Sequence, residues 1–401
     1  MARLLTNGAE LNSSAAADGP GIEYYGTAYT GDIRTVTTPT QGSRYAWQLT
    51  ASATKAAYFR NYFVFGGGTT ASNLYGKFDW QTDTATPSSK LFLWQLASNT
   101  AKRAAIMLNT DGTLQIYTGG GVAVGSKSSA ISANTWYQIE WFYDQSGTDA
   151  TLTLKVNGTT ISTSTVQLAA SGLVVNNQYV GQFDLIASNF YYDNIIVNDT
   201  SGTNENSWVG GQRVLFFSPV GEGLAPDGST YVNWKLQNGS AGGANNYTYV
   251  DEEPPSATDY VKRVNTSPPV YKDWYIPETI ATTGNIASGD PIKVLGVSAY
   301  GSSGGTTART VTYYFNTTRS TDTGQQASTA QDWASTSDFM NNINDTVSQS
   351  QHVIYNPGTG ADISNWMFGA ASTDGTSREV RLEGIWMEVS YLPSGISPSA
   401  S

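Results

Sequence analysis

The chain has no cysteine, which excludes disulfides and thiolate–zinc sites. It has one histidine, His352, so no multi-histidine metal centre can be assembled within a single chain. Charge is scarce: Asp, Glu, Lys and Arg make up 13% of its 401 residues, against about a quarter in an average soluble domain. The charge present is acidic, with a formal net of −11. Affinity for nucleic acid comes largely from Lys and Arg neutralising phosphates, so no nucleic-acid partner is expected. No apolar run approaches the ~18 residues that read as a membrane span, so no membrane insertion is expected either. The start, Met1-Ala2-Arg3-Leu4-Leu5, lacks a long apolar core and a small-residue cleavage pattern. No signal peptide is therefore expected, and the product is made in the cytoplasm.

Aromatic residues reach 12% and glycine numbers 41. Many Tyr, Thr, Ser, Asn and Gly with little charge is the composition of an all-β protein with many turns. The length suggests two to three domains at about 150 residues each. The stretch Phe190–Val214 divides the chain. It opens as a strand, Phe190–Val197, breaks into the turn formers Asp199-Thr200-Ser201-Gly202-Thr203-Asn204, and restarts as a strand near Arg213. The expected organisation is a sandwich over 1–198, a linker over 199–212, a second β-sandwich over 213–393 and a tail over 394–401.

Within the first domain, Ala105–Leu108 and Leu114–Tyr117 flank Asn109-Thr110-Asp111-Gly112, and Asp-Gly between alternating runs signals a hairpin. Trp136–Tyr143 places Tyr137, Ile139, Trp141 and Tyr143 on one face. Thr151–Val156 places Leu152, Leu154 and Val156 on one face, and Asn157-Gly158 turns into Thr159–Thr165. Leu4-Leu5 and Leu11 suit a short leading strand. Alternating strands of similar length with regular turns indicate a two-sheet sandwich or jelly roll. The ordered set GSRYAWQL, LYGKFDW, IMLNTDGTLQIY, ANTWYQIEW, LTLKVNGTTI and FYYDNIIV resembles the concanavalin A-like, laminin-G-type jelly roll. That superfold hosts lectins, glycosidases and structural modules alike, so the resemblance implies a fold and no activity.

In the second domain the apolar rhythm restarts at Val214–Phe217. An irregular stretch, 224–277, follows, and strands resume at Ile292–Ala299 and Thr310–Phe315 around a Gly/Ser loop, Gly301–Gly305. Phe339, Ile343 and Val347 recur every four residues, and Ser337 or Asp338 can cap them, so one short helix is expected over Ser337–Val347. In Arg378–Tyr391 the alternation changes phase at Gly384, which predicts one bent strand with a β-bulge. The phrases YYDNIIVNDTSGTNENSWVGGQRVLFFSPVGEG, NYTYVDEEPPSATDYV and VRLEGIWMEVSYL resemble virion proteins of tailed bacteriophages, in which a laminin-G-like module precedes a second β-rich module. The resemblance implies a virion location, other virion proteins as partners and a homo-oligomer.

Candidate chemistry is sparse. Glycoside hydrolysis needs two carboxylates roughly 5–9.5 Å apart. Glu140 and Asp144, or Glu379 and Glu383, lie four steps apart on a strand, about 13 Å, on the polar phase expected to face solvent. Gly301-Ser302-Ser303-Gly304-Gly305 matches the nucleophile-elbow pattern, but a strand follows it where that elbow needs a helix. His352 sits in strand-like sequence with no announced triad partner. Asp193, Asn194, Asn198 and Asp199 offer oxygens for calcium without a recognised loop spacing; an Asn/Asp turn is the competing reading. Trp234, Tyr247, Tyr249, Trp274 and Tyr275 lie in loop-like sequence. Exposed, they suit a glycan or a protein neighbour; buried, they plug the second core. The expectation is therefore a non-enzymatic structural protein of a phage particle, a head decoration or tail component presenting a glycan-adhesive surface. A carbohydrate-binding adhesin or receptor-binding protein for host-surface glycans is the alternative, followed by a polysaccharide depolymerase. No cofactor is expected beyond calcium.

Overall fold

The computed structural model describes residues 3–7, 9, 22–23, 32–62, 73–98, 101–168, 175–200, 204–223, 235–236, 245–251, 259–263, 271–279, 286–303, 309–317, 326–327, 331–333, 338–341, 353–372 and 380–394. The chain divides into two compact units that meet in sequence at Gln212 and Arg213. Both are antiparallel β-sandwiches.

The first unit contains β1 (Arg3–Asn7), β2 (Ile22–Glu23), β3 (Asp32–Val36), β4 (Ala46–Ala51), β5 (Ala57–Tyr62), β6 (Asn73–Thr82), β7 (Leu91–Ser98) and β8 (Ala101–Leu108). It continues with β9 (Leu114–Thr118), β10 (Ala123–Val124), β11 (Tyr137–Asp144), β12 (Ala150–Val156), β13 (Thr159–Gln167), β14 (Asn177–Gln182) and β15 (Ser188–Asp199). One sheet runs β13-β12-β11-β6-β15-β4-β3, with β1 also on β15; the other runs β10-β9-β8-β7-β14-β5-β2. The long strand β15 pairs with β6 on one edge and with β4 and then β1 on the other.

Side-chain alternation builds the core between these sheets. Phe78 and Trp80 of β6, Ile139, Trp141 and Tyr143 of β11, Leu152 and Leu154 of β12, and Phe190 and Tyr192 of β15 are all buried in one cluster. The Trp94 and Trp141 rings meet at 4.6 Å between centroids. Both expected hairpins form. Asn157 and Gly158 have φ of 49° and 76°, the paired positive values of a tight two-residue turn. In the other hairpin only Gly112, at φ 79°, is positive, so it closes as a longer loop than Asp-Gly alone predicts.

The second unit contains β16 (Arg213–Phe217), β17 (Pro219–Glu222), β18 (Lys235–Leu236), β19 (Val261–Arg263), β20 (Tyr271–Pro277), β21 (Pro291–Ser303) and β22 (Arg309–Asn316). Then come β23 (Gln326–Ala327), β24 (Gln331–Trp333), β25 (Asp338–Asn341), β26 (Val353–Thr359), β27 (Met367–Ser372) and β28 (Val380–Tyr391). Single 3-10 turns lie at Asn246–Tyr249 and Gly360–Asn365. One sheet runs β18-β19-β28-β21-β25, with β16 on β28 and β26 on β21; the other runs β17-β20-β27-β22-β23, with β24 on β22.

The predicted bulge is present. Gly384 lies opposite Tyr300 while Leu382 lies opposite Gly301, so the register slips across Glu383. The short helix is not present where the structure describes that stretch. Asp338–Asn341 is strand β25, with Phe339 opposite Tyr300 and Asp338 opposite Gly301. Pairing along the edge of a thirteen-residue strand outweighs a weak every-four pattern, because tertiary context overrides local propensity. Residues 342–347 lie outside the described residues. The stretch expected as a Gly/Ser loop begins inside β21, which runs through Ser303.

Trp141 also fixes its cross-strand partner, Gly76. A Cβ at Gly76 would lie 2.0 Å from the indole, so only glycine lets the ring lie across β6. Gly76→Ala is expected to destabilise the first unit by about 1–3 kcal/mol, the usual cost of overpacking. Gly120→Ala, where a Cβ meets only a hydroxyl at 3.7 Å, is expected to be near neutral. Thermal unfolding of both variants checks this.

Candidate functional site

The strand registers lay out the core-distal face of the first unit's β1-containing sheet as cross-strand rows. Thr153, Phe142, Tyr75 and Asn198 form one row; Lys155, Glu140 and Lys77 form the next; Gln138, Asp79 and Asp193 form a third. The charged side chains of these rows, Lys77, Asp79, Glu140, Lys155 and Asp193, are all buried. Residues 204–212, expected as a linker, lie against them within the first unit. The Trp208 ring stands 5.3 Å from Tyr75, and the Lys155 ammonium lies 3.7 Å from the Trp208 centroid. The Gly210 N–H donates to Glu140 Oε1 at 2.8 Å. The Lys77 ammonium donates to the Gln212 carbonyl and, at 3.1 Å, to Asp79 Oδ2.

The stretch 41–43 closes the rest. Asp193 Oδ2 accepts from the Gln41 N–H at 2.9 Å and from the Ser43 hydroxyl, and its Oδ1 accepts from the Asn194 N–H at 2.7 Å. The Asn194 amide donates to Asp79 Oδ2 at 2.8 Å. Burial pushes Asp193 up to about 7, with neighbouring Asp79 adding to it. Burial also pulls the Lys155 ammonium below its ordinary value, against the pull of Glu140. Glu140 was expected on a solvated face, but it is fully buried. The strap 204–212 donates to its Oε1 and the Gln138 amide to its Oε2 at 2.9 Å, and Lys77 and Lys155 flank it in register.

Beyond these rows the same face opens. Arg34, Gln48, Tyr191 and Gln81 form a row across β3, β4, β15 and β6. Trp136 continues this row one residue before β11, since Tyr137 pairs with Trp80. Thr50, Asn189 and Asp83 lie alongside as a second row. A connected network joins them. The Arg34 guanidinium donates to Gln48 Oε1 at 2.9 Å; the Gln48 amide donates to Asn189 Oδ1 at 3.2 Å and to the Tyr191 hydroxyl at 3.4 Å. Thr50 Oγ1 donates to Asn189 Oδ1 at 2.6 Å, and Asn189 Nδ2 donates to Asp83 Oδ2 at 2.6 Å. Arg34 and Asp83 are exposed, and Trp136, Tyr191, Asn189 and Thr50 are half-buried. Gln81 is 5% exposed, and its Oε1 has no hydrogen-bond partner among the described residues. Burial raises the Tyr191 phenol, Asp83 raises it further, and Arg34 opposes. Two half-buried rings beside amide, carboxylate, hydroxyl and guanidinium groups suit sugars, whose apolar faces stack and whose hydroxyls both donate and accept.

Of the aromatic residues singled out in the second domain, the four that the structure describes do not form such a surface. Trp274 and Tyr275 sit in β20 and are fully buried, so they are core rings and not loop rings. Tyr247 and Tyr249 lie in a 3-10 turn, packed half-buried against the same core. Trp234, His352 and Glu379 lie outside the described residues. The oxygens considered for calcium do not converge: Asp193 and Asn194 are tied as above, while the Asn198 amide reaches the Ser207 carbonyl at 3.5 Å. Among the described residues no three acidic or histidine side chains gather as a metal-holding group. Tyr191 went unnoticed because Phe190 and Tyr192 on either side obscure its phase. The signal that could have found Trp136 was its place opposite in phase to Tyr137, Ile139 and Trp141.

The second unit buries an acidic pair. Glu222 Oε1 accepts from the Tyr247 N–H at 2.8 Å, and the Asn246 amide donates to Asp273 Oδ2 at 2.9 Å. Burial pushes Glu222 up to about 8, and Asp273 adds to it.

No family model matches the chain, and no curated protein matches it. Among solved structures, a cellulose-induced protein is similar at 12% identity and TM-score 0.38, over 48% of this chain and 96% of its own. A Trypanosoma rangeli sialidase in complex with sialic acid is similar at 11% and 0.36, over 48% of this chain and 30% of its own. An alginate lyase of polysaccharide lyase family 7 is similar at 13% and 0.32, over 43% and 83%. At this identity and TM-score the likeness is one of β-sandwich fold and assigns this chain neither substrate nor activity; none of the three is named as a virion protein. The expectation that this chain is not an enzyme does not stand, since the sialidase and the lyase of similar fold are enzymes, and neither of them makes this chain one. The reasoning behind it was also incomplete: it measured acids along single strands, whereas Asp79 and Asp193 meet across two.

The Glu222 carboxyl is protonated more readily in the fold than in the unfolded chain. Its contribution to stability is therefore complete below about pH 4.5 and is lost as pH rises towards 8. Glu222→Gln keeps an acceptor for Tyr247 and removes the ionisation. Moving from pH 4.5 to 8.5, the variant is expected to gain roughly 2–4 kcal/mol relative to the wild type, read by denaturant unfolding of the second unit at the two pH values.

Proposed function

We propose that this chain is a glycan-binding protein of a tailed-phage particle and that it holds sugar on the open terrace of its first sandwich. The observation that carries the binding reading is the paired rows Arg34–Gln48–Tyr191–Gln81–Trp136 and Thr50–Asn189–Asp83. Arg34, Gln48, Tyr191, Thr50, Asn189 and Asp83 are joined by hydrogen bonds before any ligand arrives, which lowers the ordering cost of binding. Such fixed polar groups beside rings set the orientation of a sugar, while the rings supply contact area. The virion setting, with other virion proteins and further copies of this chain as partners and host-surface glycans as target, rests on the resemblance of the residue phrases at the junction and in the second domain.

The test of the binding reading is a glycan array with the full chain, followed by titration of the strongest hit. Asn189→Ala removes the group that joins Thr50, Gln48 and Asp83, and it is expected to weaken binding at least tenfold, about 1.4 kcal/mol. An array with no hit, or a hit that Asn189→Ala leaves unchanged, overturns this site. Sugar release from the same hit, followed over time, decides whether binding leads on to cleavage. Mass spectrometry of purified particles tests the virion setting; the chain is expected there in many copies.

A further inference from the structure

We infer that the terrace takes an extended glycan chain laid across the strands, engaging at least three consecutive neutral sugars, and not a single terminal sugar; this deepens, and rests on, the reading of the terrace as the glycan site. The geometry comes from the registers. Trp136, Gln81, Tyr191, Gln48 and Arg34 occupy neighbouring strands in one row. With strands about 4.8 Å apart, the row measures about 19 Å from end to end. That is longer than any one sugar and runs at right angles to the strands.

The two rings set the spacing. Tyr191 and Trp136 are separated by β6 alone, so they stand about 9.5 Å apart, the span of two sugar residues in an extended chain. A chain crossing the row meets a ring at alternate residues. The sugar between them lies over Gln81, the one side chain of the row that is almost wholly buried with an amide oxygen unpartnered among the described residues. The adjacent row is saturated by its own bonds through Asn189, so it acts as a fixed wall along the chain.

Charge limits the class. Arg34 on β3 and Asp83 just past the end of β6 are both exposed and of opposite sign. The middle of the terrace carries amides and a phenol, with no excess positive charge to neutralise a string of acidic sugars.

The test is calorimetric titration of the full chain with β-1,4-linked oligomers of glucose, mannose and N-acetylglucosamine, each from one to five sugars long. In at least one series, affinity is expected to rise tenfold or more from the single sugar to the trisaccharide and then level off. Trp136→Ala and Tyr191→Ala are each expected to weaken the trisaccharide at least fivefold and to flatten the length dependence. Leu185→Ala, at a side chain 55% exposed, is expected to change nothing. Thermal unfolding of each variant separates loss of fold from loss of binding. A series that binds equally well at one sugar and at three overturns this inference and leaves the terrace as a glycan site. A tenfold loss of trisaccharide affinity between low and high salt overturns the neutral class. No binding in any series overturns this inference, while the reading beneath it stands or falls with the glycan array.

Discussion

The buried ion pair between Lys77 and Asp79, both within 5% side-chain exposure, is the constraint around which the first unit is arranged. Lys77 lies in register with Glu140, and Glu140 with Lys155. Three strands therefore present charges side by side on the face that does not make the core. Charges of this kind are expensive to bury unless every partner is satisfied. The satisfaction comes from a segment with little apolar content of its own: Gly210 gives an N–H to Glu140, Gln212 a carbonyl to Lys77, and Trp208 a ring to Lys155. Ring contacts of Trp208 with Tyr75 and Phe142 add to these polar ties.

That arrangement explains which parts of the fold could be read from the sequence. Inward positions announce themselves because apolar residues alternate, as in Tyr137, Ile139, Trp141 and Tyr143. The change of phase at Gly384 marked the β28 bulge for the same reason. The outward phase carries no such signal. Glu140 looks the same whether it meets water or the Gly210 N–H seventy residues away, so its burial was invisible. Trp274 and Tyr275 misled in the opposite sense: the flanking Pro, Asp and Gly residues suggested a loop, and pairing with β27 made a strand. The every-four pattern over Ser337–Val347 failed because local periodicity cannot register the long neighbouring strand that captures it.

The two units handle carboxylates alike. Asp193 beside Asp79, and Glu222 beside Asp273, are pairs of acids drawn from separate strands, and burial raises Asp193 and Glu222. Raised carboxyls are also what general-acid chemistry requires, which is why spacing along one strand was a poor test for catalysis. Position sets these pairs apart from that role. Asp193 is capped by Gln41, Ser43 and Asn194, and Glu222 holds the backbone of a turn. Both serve to anchor segments without regular structure onto sheets.

The strapped and open halves of the face share the strands that matter. β6 carries Lys77 and Asp79 under the strap, then Gln81 and, just past its end, Asp83 on the terrace. β15 carries Tyr191 on the terrace and Asp193 beneath the cap. A side chain two residues along a strand is about 6.6 Å away, so the groups that would touch a sugar sit one step from groups that cannot move without breaking a buried charge pair. Binding groups placed on rigid elements hold their geometry more closely than groups on loops. The terrace thus owes its fixed shape to the buried charges beside it.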